Sequence, residues 1–441
     1  MKPIYKQFWH YTLPTVAAML VNGLYQIIDG IFIGQYVGAE GLAGINVAWP
    51  IIGSVLGIGM MVGVGTGAIA SISQGAGEHT KAKDTLSTGL GILLFVYPIL
   101  ALFLFFYSDD LLLLQGVEGN VFELGKQYLD VLIVANIFGL GGIALPFLLR
   151  NDNSPKLATA LMVLGALLNI ILDYLFIGIM GWELTGAAIA TAIAQCITTV
   201  IGVWYFFSKY ATMRLSVKSF TLRFDLVPQI LTIGLSSFFM YVYGSFMVAV
   251  HNWMFTQYGS VLIVGAYAII GYIVTIYYLT VEGVANGMQP LVSFNHGAKK
   301  PELVKQLLGI AMWTSVLLGI VFIAIVNLFP ETIISVFNSE DPELLAASTL
   351  GIRLHMFTLF LDGFIVVAAA YYQAIGDSKK AMFTTGGNML AQLPFLLVLP
   401  VLFGLEGVWL AYPISNILVS VILIFVLRKD VKQEEAMLCK A

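Results

Sequence analysis

Long apolar segments dominate the chain, and each is close in length to a membrane-spanning helix. A span needs about 20 predominantly apolar residues, and twelve such segments are separated by short polar stretches. The first six lie near residues 11–34, 45–72, 87–107, 124–149, 157–180 and 184–208. The second six lie near 227–255, 261–293, 304–328, 344–374, 381–403 and 405–427. The pattern predicts an all-α membrane protein with twelve transmembrane helices, since a membrane β-barrel would show about ten-residue alternating segments.

The composition agrees with a membrane protein, and the cysteine content argues against a disulfide-stabilised or metal-binding protein. The 441 residues are 59% hydrophobic and only 10% charged, whereas soluble domains carry about 25% charged residues. The two cysteines, Cys196 and Cys439, cannot form a disulfide framework, and no metal-binding spacing is present. Lys2 and Lys6 precede the first apolar segment as in a signal peptide, but that segment is too long for one. We therefore expect a retained first helix.

The positive residues predict the orientation of the helices. Cytoplasmic loops of membrane proteins carry an excess of Lys and Arg. With the N-terminus inside, 19 of the 21 Lys and Arg residues fall in cytoplasmic regions, and only Lys126 and Arg353 fall elsewhere. The pattern predicts a multi-pass protein of the inner (plasma) membrane with both termini in the cytoplasm.

The chain also repeats itself at an offset of about 220 residues. SISQGAGEHTKAK after the second helix resembles SFNHGAKKPELVK after the eighth, with Gly65 matching Gly287 and Ser71 matching Ser293. Each half has six spans, so the halves share one orientation. This predicts two six-helix bundles related by a pseudo-two-fold axis along the membrane normal. We expect an N-terminal lobe at 1–208, a cytoplasmic linker at 209–225, and a C-terminal lobe with a short cytoplasmic tail at 226–441.

A polar stripe lies within the first apolar segment, in NGLYQIIDGIFIG. Asp29 follows Gln26, Tyr25 and Asn22 by three, four and seven residues, so the four share one helix face. A carboxylate at membrane depth usually faces the protein interior or a water-filled cavity and is usually functional. We expect this face to line such a cavity, with Asn22, Tyr25 and Gln26 as possible substrate contacts.

A second carboxylate occurs in the fifth helix, in LNIILDYLFIG. Asn169 and Asp173 are four residues apart and share a face, and Thr191 lies in the small-residue run of the sixth helix. Two alternatives stay open. Asp173 could be interfacial and solvated, and Thr191 could be a packing residue bonded to its own backbone.

Together Asp29, Asn169, Asp173 and Thr191 offer hard oxygen ligands. Two carboxylates in a low-dielectric site cannot comfortably both be ionised, so the pair is suited to take up a proton or to hold Na⁺. The four residues predict a coupling-cation site, with no cofactor beyond H⁺ or Na⁺. Asp362 in the tenth helix and Glu282 in the eighth are further intramembrane carboxylates that we expect to face a cavity.

Several segments resemble the multidrug and toxic compound extrusion (MATE) transporters, and the resemblance covers nearly the whole chain. The segments are Leu13-Pro14 followed by IIDGIFIG, LNIILDYLFIG followed by GAAIATAIA, GMQPLVSFNHGA, and YYQAIGDSKKA. The resemblance implies an antiporter that exports cationic amphiphilic compounds and works by alternating access. It points to the branch with an N-terminal-lobe cation site, matched at Asp29, Asn169, Asp173 and Thr191. It implies a bend at Pro14. Asp362 matches a C-terminal-lobe carboxylate of another branch, whose seventh-helix Glu is missing here.

Two other functions remain as alternatives. A lipid-linked oligosaccharide flippase of related fold would be expected to line its cavity with several basic residues, and Arg353 is the only basic residue well inside a predicted span. A membrane-embedded enzyme is less favoured, because no nucleophile–base or metal constellation is recognisable. We therefore predict a non-enzymatic transporter that acts as a monomer on small cationic or amphiphilic molecules in the lipid bilayer, without nucleic-acid partners.

Overall fold

The fold is that of a computed structural model, which describes residues 2–115, 118–216, 220–337 and 342–438. Lys218 and Lys440, which contribute to the predicted orientation, and Cys439 lie outside the described residues. The N-terminal half contains α1 (Lys2–Tyr36), α2 (Ala39–Gly75), α3 (His79–Leu113), α4 (Asn120–Asn151), α5 (Pro155–Asp173) and α6 (Glu183–Phe207). A π-helical stretch, Tyr174–Ile179, continues α5 and is called the π segment below.

The second half is also a series of helices, with two additional interruptions, between α9 and α10 and between α11 and α12. It contains α7 (Val227–Tyr258), α8 (Val261–Gly297), α9 (Pro301–Leu328), α10 (Pro330–Ser335), α11 (Pro342–His355), α12 (Leu359–Ala374), α13 (Ser378–Phe403) and α14 (Leu405–Leu438). Eleven of the described helices are long and apolar enough to cross a membrane, and α11 with α12 forms a bent pair that brings the count to twelve. The prediction of a twelve-span, all-α membrane protein is confirmed.

Most of the helices are longer than the apolar segments that predicted them. The segment near 45–72, for example, becomes a helix from Ala39 to Gly75. Hydropathy detects only the part of a helix that lies in hydrocarbon, whereas i→i−4 hydrogen bonding continues through the polar ends. The predicted span near 344–374 is bent by 52° between α11 and α12. At this break Leu359 N–H donates to Met356 O at 3.0 Å, a tighter three-residue turn that redirects the helix axis.

Small residues allow the helices of the N-terminal half to pack closely. A Cβ on Gly63 of α2 would lie 2.8 Å from the Cα of Ala144 in α4, and one on Gly59 would lie 3.0 Å from the carbonyl oxygen of Leu140. Close backbone approach through Gly and Ala is the usual way in which helices associate in membranes. The resulting core includes Ile33 of α1, Leu129 of α4 and Ile177 of the π segment.

The chain divides into two compact units, Leu13–Val242 and Met1–Thr12 with Tyr243–Ala441. The division falls inside α1 and α7 because of two close helix contacts. Gly65 of α2 meets the carbonyl of Ile230 in α7, and Gly287 of α8 meets the backbone of Thr12 in α1. Gly65 and Gly287 are the glycines matched by the internal repeat. The predicted lobe boundaries at 208 and 225 stay a prediction.

A buried carboxylate anchors the beginning of the linker. Asp152, directly after α4, accepts hydrogen bonds from the backbone N–H groups of Thr212 at 2.9 Å and Met213 at 2.6 Å, and from the Tyr205 hydroxyl at 2.8 Å. Burial raises the pKa of Asp152 and these three donors oppose the shift. The linker is thus tied to the ends of α4 and α6.

Candidate cation-binding site

Asp29 and Asp173 face each other between α1 and α5. Their carboxyl groups lie close enough to interact directly, and Asp173 is fully buried while Asp29 is half-buried. The alternative of a solvated, interfacial Asp173 therefore does not agree with the structure. A carboxyl–carboxyl hydrogen bond needs one proton, because an ionised carboxylate is an acceptor only. The pair is therefore a candidate to share one proton or to bind one cation.

Three of the four carboxylate oxygens of this pair have no hydrogen-bond donor among the described residues. Oδ1 of Asp29 and both carboxylate oxygens of Asp173 are buried without a donor. A buried carboxylate is normally paired or hydrogen-bonded. These unmet oxygens make the pair a candidate cation site.

Asn169 and Thr191 stand beside the carboxyl pair. Asn169, one turn before Asp173 and only 2% exposed, donates from Nδ2 to the Thr191 hydroxyl at 3.2 Å. Its Oδ1 is buried without a donor. Carbonyl, hydroxyl and carboxylate oxygens together are the ligands that hard cations such as Na⁺ prefer. The structure thus brings all four predicted cation-site residues into one place.

Tyr128 of α4 also belongs to this site, although sequence reasoning did not single it out. The buried Tyr128 ring lies near both carboxyl groups, and its hydroxyl contacts the Thr191 side chain. Tyr128 follows Lys126 and Gln127 near the predicted outer membrane surface, where a tyrosine is usually an interfacial anchor. Only its proximity to Thr191, 63 positions later in the chain, distinguishes it.

The remaining α1 residues divide between two environments. Tyr25 lies near both carboxyl groups and contacts the side chain of Gln26. Asn22 and Tyr25 are half-buried, whereas Gln26 is exposed. The predicted polar face is therefore split, with Tyr25 next to the carboxyl pair. Pro14 lies inside α1, one residue beyond the division between the two units.

The C-terminal unit encloses a different carboxylate. Asp362 of α12 is 3% exposed. Its Oδ2 accepts from the Tyr278 hydroxyl of α8, and its Oδ1 accepts from Nδ2 of Asn416 in α14 at 2.9 Å. The hydroxyls of Tyr278 and Tyr412 are 2.5 Å apart. Both oxygens of Asp362 thus accept hydrogen bonds, in contrast to the unmet oxygens of Asp173.

Two further ionisable residues, Glu282 and His251, lie in the C-terminal unit. Glu282, one turn after Tyr278 in α8, is half-buried. His251 is 1% exposed, with Nδ1 2.9 Å from the carbonyl of Met247 and Nε2 3.4 Å from Nε2 of Gln392. His251 is therefore a hydrogen-bonded core histidine. Among the described residues, no group of three or more His, Cys, Asp and Glu could hold a metal ion.

Comparison with known proteins gives consistent relatives. The multidrug export protein MepA of Staphylococcus aureus (strain MSSA476) is 26% identical over 408 residues, which cover 92% of this chain and 89% of the relative. The multidrug export protein MepA of Staphylococcus saprophyticus is 25% identical over 436 residues, which cover 98% and 96%.

Solved structures share the fold. A MATE protein in its straight conformation matches with a TM-score of 0.92 at 22% identity, over 98% of this chain and 97% of that one. An outward-facing multidrug resistance MATE family transporter of the MOP superfamily matches equally, with a TM-score of 0.92 at 22% identity and the same coverage. The sequence model of the MatE family matches residues 14–175 and again 233–398. The two matches fall on the two halves of the internal repeat and span most of the chain, which therefore belongs to the MatE family.

Proposed function

We propose that this chain is a secondary active exporter that couples entry of H⁺ or Na⁺ to efflux of cationic amphiphilic compounds by alternating access. The observation that carries this proposal is the Asp29–Asp173 pair, in which three of the four carboxylate oxygens lack hydrogen-bond donors among the described residues. Membership of the MatE family and the similarity to proteins named multidrug export proteins support the export of drugs. Transport, rather than catalysis, is the activity.

Asp29 and Asp173 carry the coupling cation in this proposal, and Asn169 and Thr191 complete its polar surroundings. A ligand shifts a conformational equilibrium only by its difference in affinity for the two states. The cation must therefore bind more tightly to the state that is open to the outside, and the drug to the state that is open to the cytoplasm. Asn22 and Tyr25 are candidate substrate contacts, and Pro14 is a candidate bend in α1.

The flippase alternative receives less support. A pyrophosphate-bearing lipid needs several basic side chains in an interior site. Arg353 of α11 is exposed, and the buried Arg150 lies at the cytoplasmic end of α4, where its guanidinium packs 4.9 Å from the Phe147 ring centroid.

The proposed location is the inner (plasma) membrane, with both termini in the cytoplasm. Basic residues in the predicted cytoplasmic loops support this orientation. A monomer is sufficient for the proposed function, because the four candidate ligands come from one chain. Nucleic acid has no role in it.

The proposal can be tested by resistance and dye efflux in a pump-deficient bacterium. We expect the chain to confer resistance to cationic dyes, and Asp29→Asn and Asp173→Asn to abolish it at equal membrane expression. Asp130→Asn removes an exposed carboxylate of α4 and is the matched control. Full resistance in both site variants would overturn the site assignment. Absence of dye efflux from the well-expressed parent chain would overturn the drug-export function.

A further inference from the structure

The π segment, Tyr174–Ile179, is an unusual stretch of backbone and begins directly after Asp173. Its pitch is seen in the hydrogen bond from Met180 N–H to Leu175 O at 2.9 Å, which spans five residues. π-helical turns are rare and are frequent at functional sites. The turn that follows is also strained, because Glu183 adopts φ 46°, a left-handed conformation that favours glycine. Tertiary contacts must hold this conformation.

Two of these contacts fix the π segment to the rest of its unit. Ile177 is 2% exposed and packs in the apolar core with Ile33 and Leu184. Phe176 stacks on Trp182 with ring centroids 5.1 Å apart. The first contact fixes the buried face of the π segment, and the second fixes the turn that leads from it to α6.

A third contact joins the π segment to α1. A Cβ on Gly178 would lie 3.3 Å from Cζ and 3.4 Å from the hydroxyl of Tyr36, so this glycine lets the Tyr36 ring lie against the backbone. The Phe32 and Tyr174 ring centroids are 6.4 Å apart. We name Phe32, Tyr36, Tyr174 and Gly178 the aromatic latch.

The aromatic latch is in register with the carboxyl pair. Phe32 and Tyr36 follow Asp29 by three and seven residues and thus share its helix face. On the other side, Tyr174 and Gly178 follow Asp173 by one and five residues. Helix α1 therefore contacts α5 and its π segment at two places. The first contact is between the two carboxyl groups, and the second, further toward the C-terminal end of each element, is the aromatic latch.

We propose that Tyr36 and Gly178 are positioning residues that hold the Asp173 carboxyl against Asp29, and that the aromatic latch thereby sets how tightly the pair holds its cation. Like charges tolerate such proximity only while a proton or cation lies between them, so a contact that enforces the proximity also strengthens cation binding. That the bound cation drives export rests on the proposed function. The positioning of the carboxyl pair does not.

The test is a pH titration of the carboxyl groups by infrared difference spectroscopy on the purified full chain in lipid nanodiscs. The signal of the pair is assigned by its loss in Asp29→Asn and Asp173→Asn. Tyr36→Ala removes the latch from α1, and Gly178→Ala presses a methyl group against Tyr36 from the π segment. Tyr36→Phe keeps the ring. The matched control is Tyr107→Ala, which removes an exposed tyrosine of α3 whose ring centroid lies 5.1 Å from that of Phe103.

We expect Tyr36→Ala and Gly178→Ala to move the titration midpoint by about one pH unit toward lower pH, which is about tenfold in proton affinity. Tyr36→Phe and Tyr107→Ala should leave it unchanged. If Tyr36→Ala does not fold, Gly178→Ala decides alone, since it adds one methyl group. An unchanged midpoint in the folded latch variants, or an equal shift in Tyr107→Ala, would overturn the proposal. A shifted midpoint in a chain that exports no dye would sustain the latch and refute the proposed function.

Discussion

The Nδ2 atom of Asn169 lies 3.2 Å from the Thr191 hydroxyl, while the Oδ1 atom of Asn169 is buried without a hydrogen-bond donor. The bond fixes the amide so that an acceptor is left one helical turn from Asp173. This is the arrangement expected of a cation ligand whose neighbour orients it.

Thr191→Val should weaken cation coupling, because valine keeps the shape of threonine but removes the oxygen. We expect the cation concentration for half-maximal dye efflux to rise about tenfold, equivalent to about 1.4 kcal/mol. Thr191→Ser keeps the hydroxyl and is the matched control. Equal half-saturating concentrations in the valine and serine variants would show that the hydroxyl has no part in the site.

The two carboxylates should behave as one unit. In the proposed function Asp29 and Asp173 hold a single positive charge together, so removing either should cost nearly as much dye efflux as removing both. We expect the Asp29→Asn, Asp173→Asn and double variants to have the same residual dye efflux, measured at equal membrane expression. Losses that multiply in the double variant would indicate two independent sites.

The close contact of α2 with α7 should be sensitive to a single methyl group. A Cβ on Gly65 would lie 2.0 Å from the carbonyl oxygen of Ile230, and one on Gly234 would lie 1.8 Å from that of Met61. We expect Gly65→Ala and Gly234→Ala each to destabilise the protein by about 1–3 kcal/mol or more through overpacking. Gly53→Ala, in the same helix α2 with nothing within 4 Å, is the control and should be neutral or slightly stabilising. The measurement is the melting temperature of the three variants in detergent. Equal melting temperatures in Gly65→Ala, Gly234→Ala and Gly53→Ala would contradict the close packing.

Asp362 should serve stability through its hydrogen bonds. Tyr278→Phe leaves one carboxylate oxygen of Asp362 without its donor, and an unsatisfied buried polar group costs about 1–3 kcal/mol. We expect a lower unfolding temperature in Tyr278→Phe. Tyr272→Phe, which alters an exposed tyrosine two turns earlier in α8, is the control. No difference between the two variants would contradict the role of the Tyr278 hydroxyl.

The attachment of the linker should depend on pH through Asp152. Burial raises the pKa of Asp152 in the folded chain, so the folded form binds the proton more tightly than the unfolded form. The stability that Asp152 contributes is therefore greatest at acidic pH. It declines as the pH rises from the ordinary carboxyl pKa of the unfolded chain through the raised pKa of the folded chain. Amide hydrogen exchange at Thr212 and Met213, corrected for the intrinsic pH dependence of exchange, should show this decline. Asp152→Asn should remove the decline and expose the linker, because its amide nitrogen would face other donors. Equal pH dependence in both would contradict the role of Asp152.

Much of the fold was predictable because the bilayer imposes simple rules on the sequence. The apolar runs gave the twelve spans, and the repeat marked Gly65 and Gly287, although only the structure shows which backbones they approach. The bend between α11 and α12 and the π segment were not predictable, since neither stretch contains proline and the tertiary contacts of each hold its conformation. In both stretches the apolar pattern is uninterrupted, and this pattern alone predicts a regular α-helix.

The candidate site was partly visible in the sequence for a similar reason. Asp29 and Asp173 stand out because carboxylates are costly at membrane depth, and Asn169 follows from helical spacing. Tyr128 near Thr191, and Tyr278, Tyr412 and Asn416 around Asp362, come from separate helices. Nothing in local pattern distinguishes them from tyrosines and amides that anchor or pack helices.

Transport in proteoliposomes decides whether the Asp29–Asp173 pair carries the coupling cation, as proposed. A H⁺ or Na⁺ gradient is imposed across the membrane, and export of a cationic dye is followed for the parent chain and for Asp29→Asn and Asp173→Asn. We predict dye movement against its own gradient when one of the two cation gradients is applied, and none in either variant. Gradient-driven export that persists in both variants would contradict the claim.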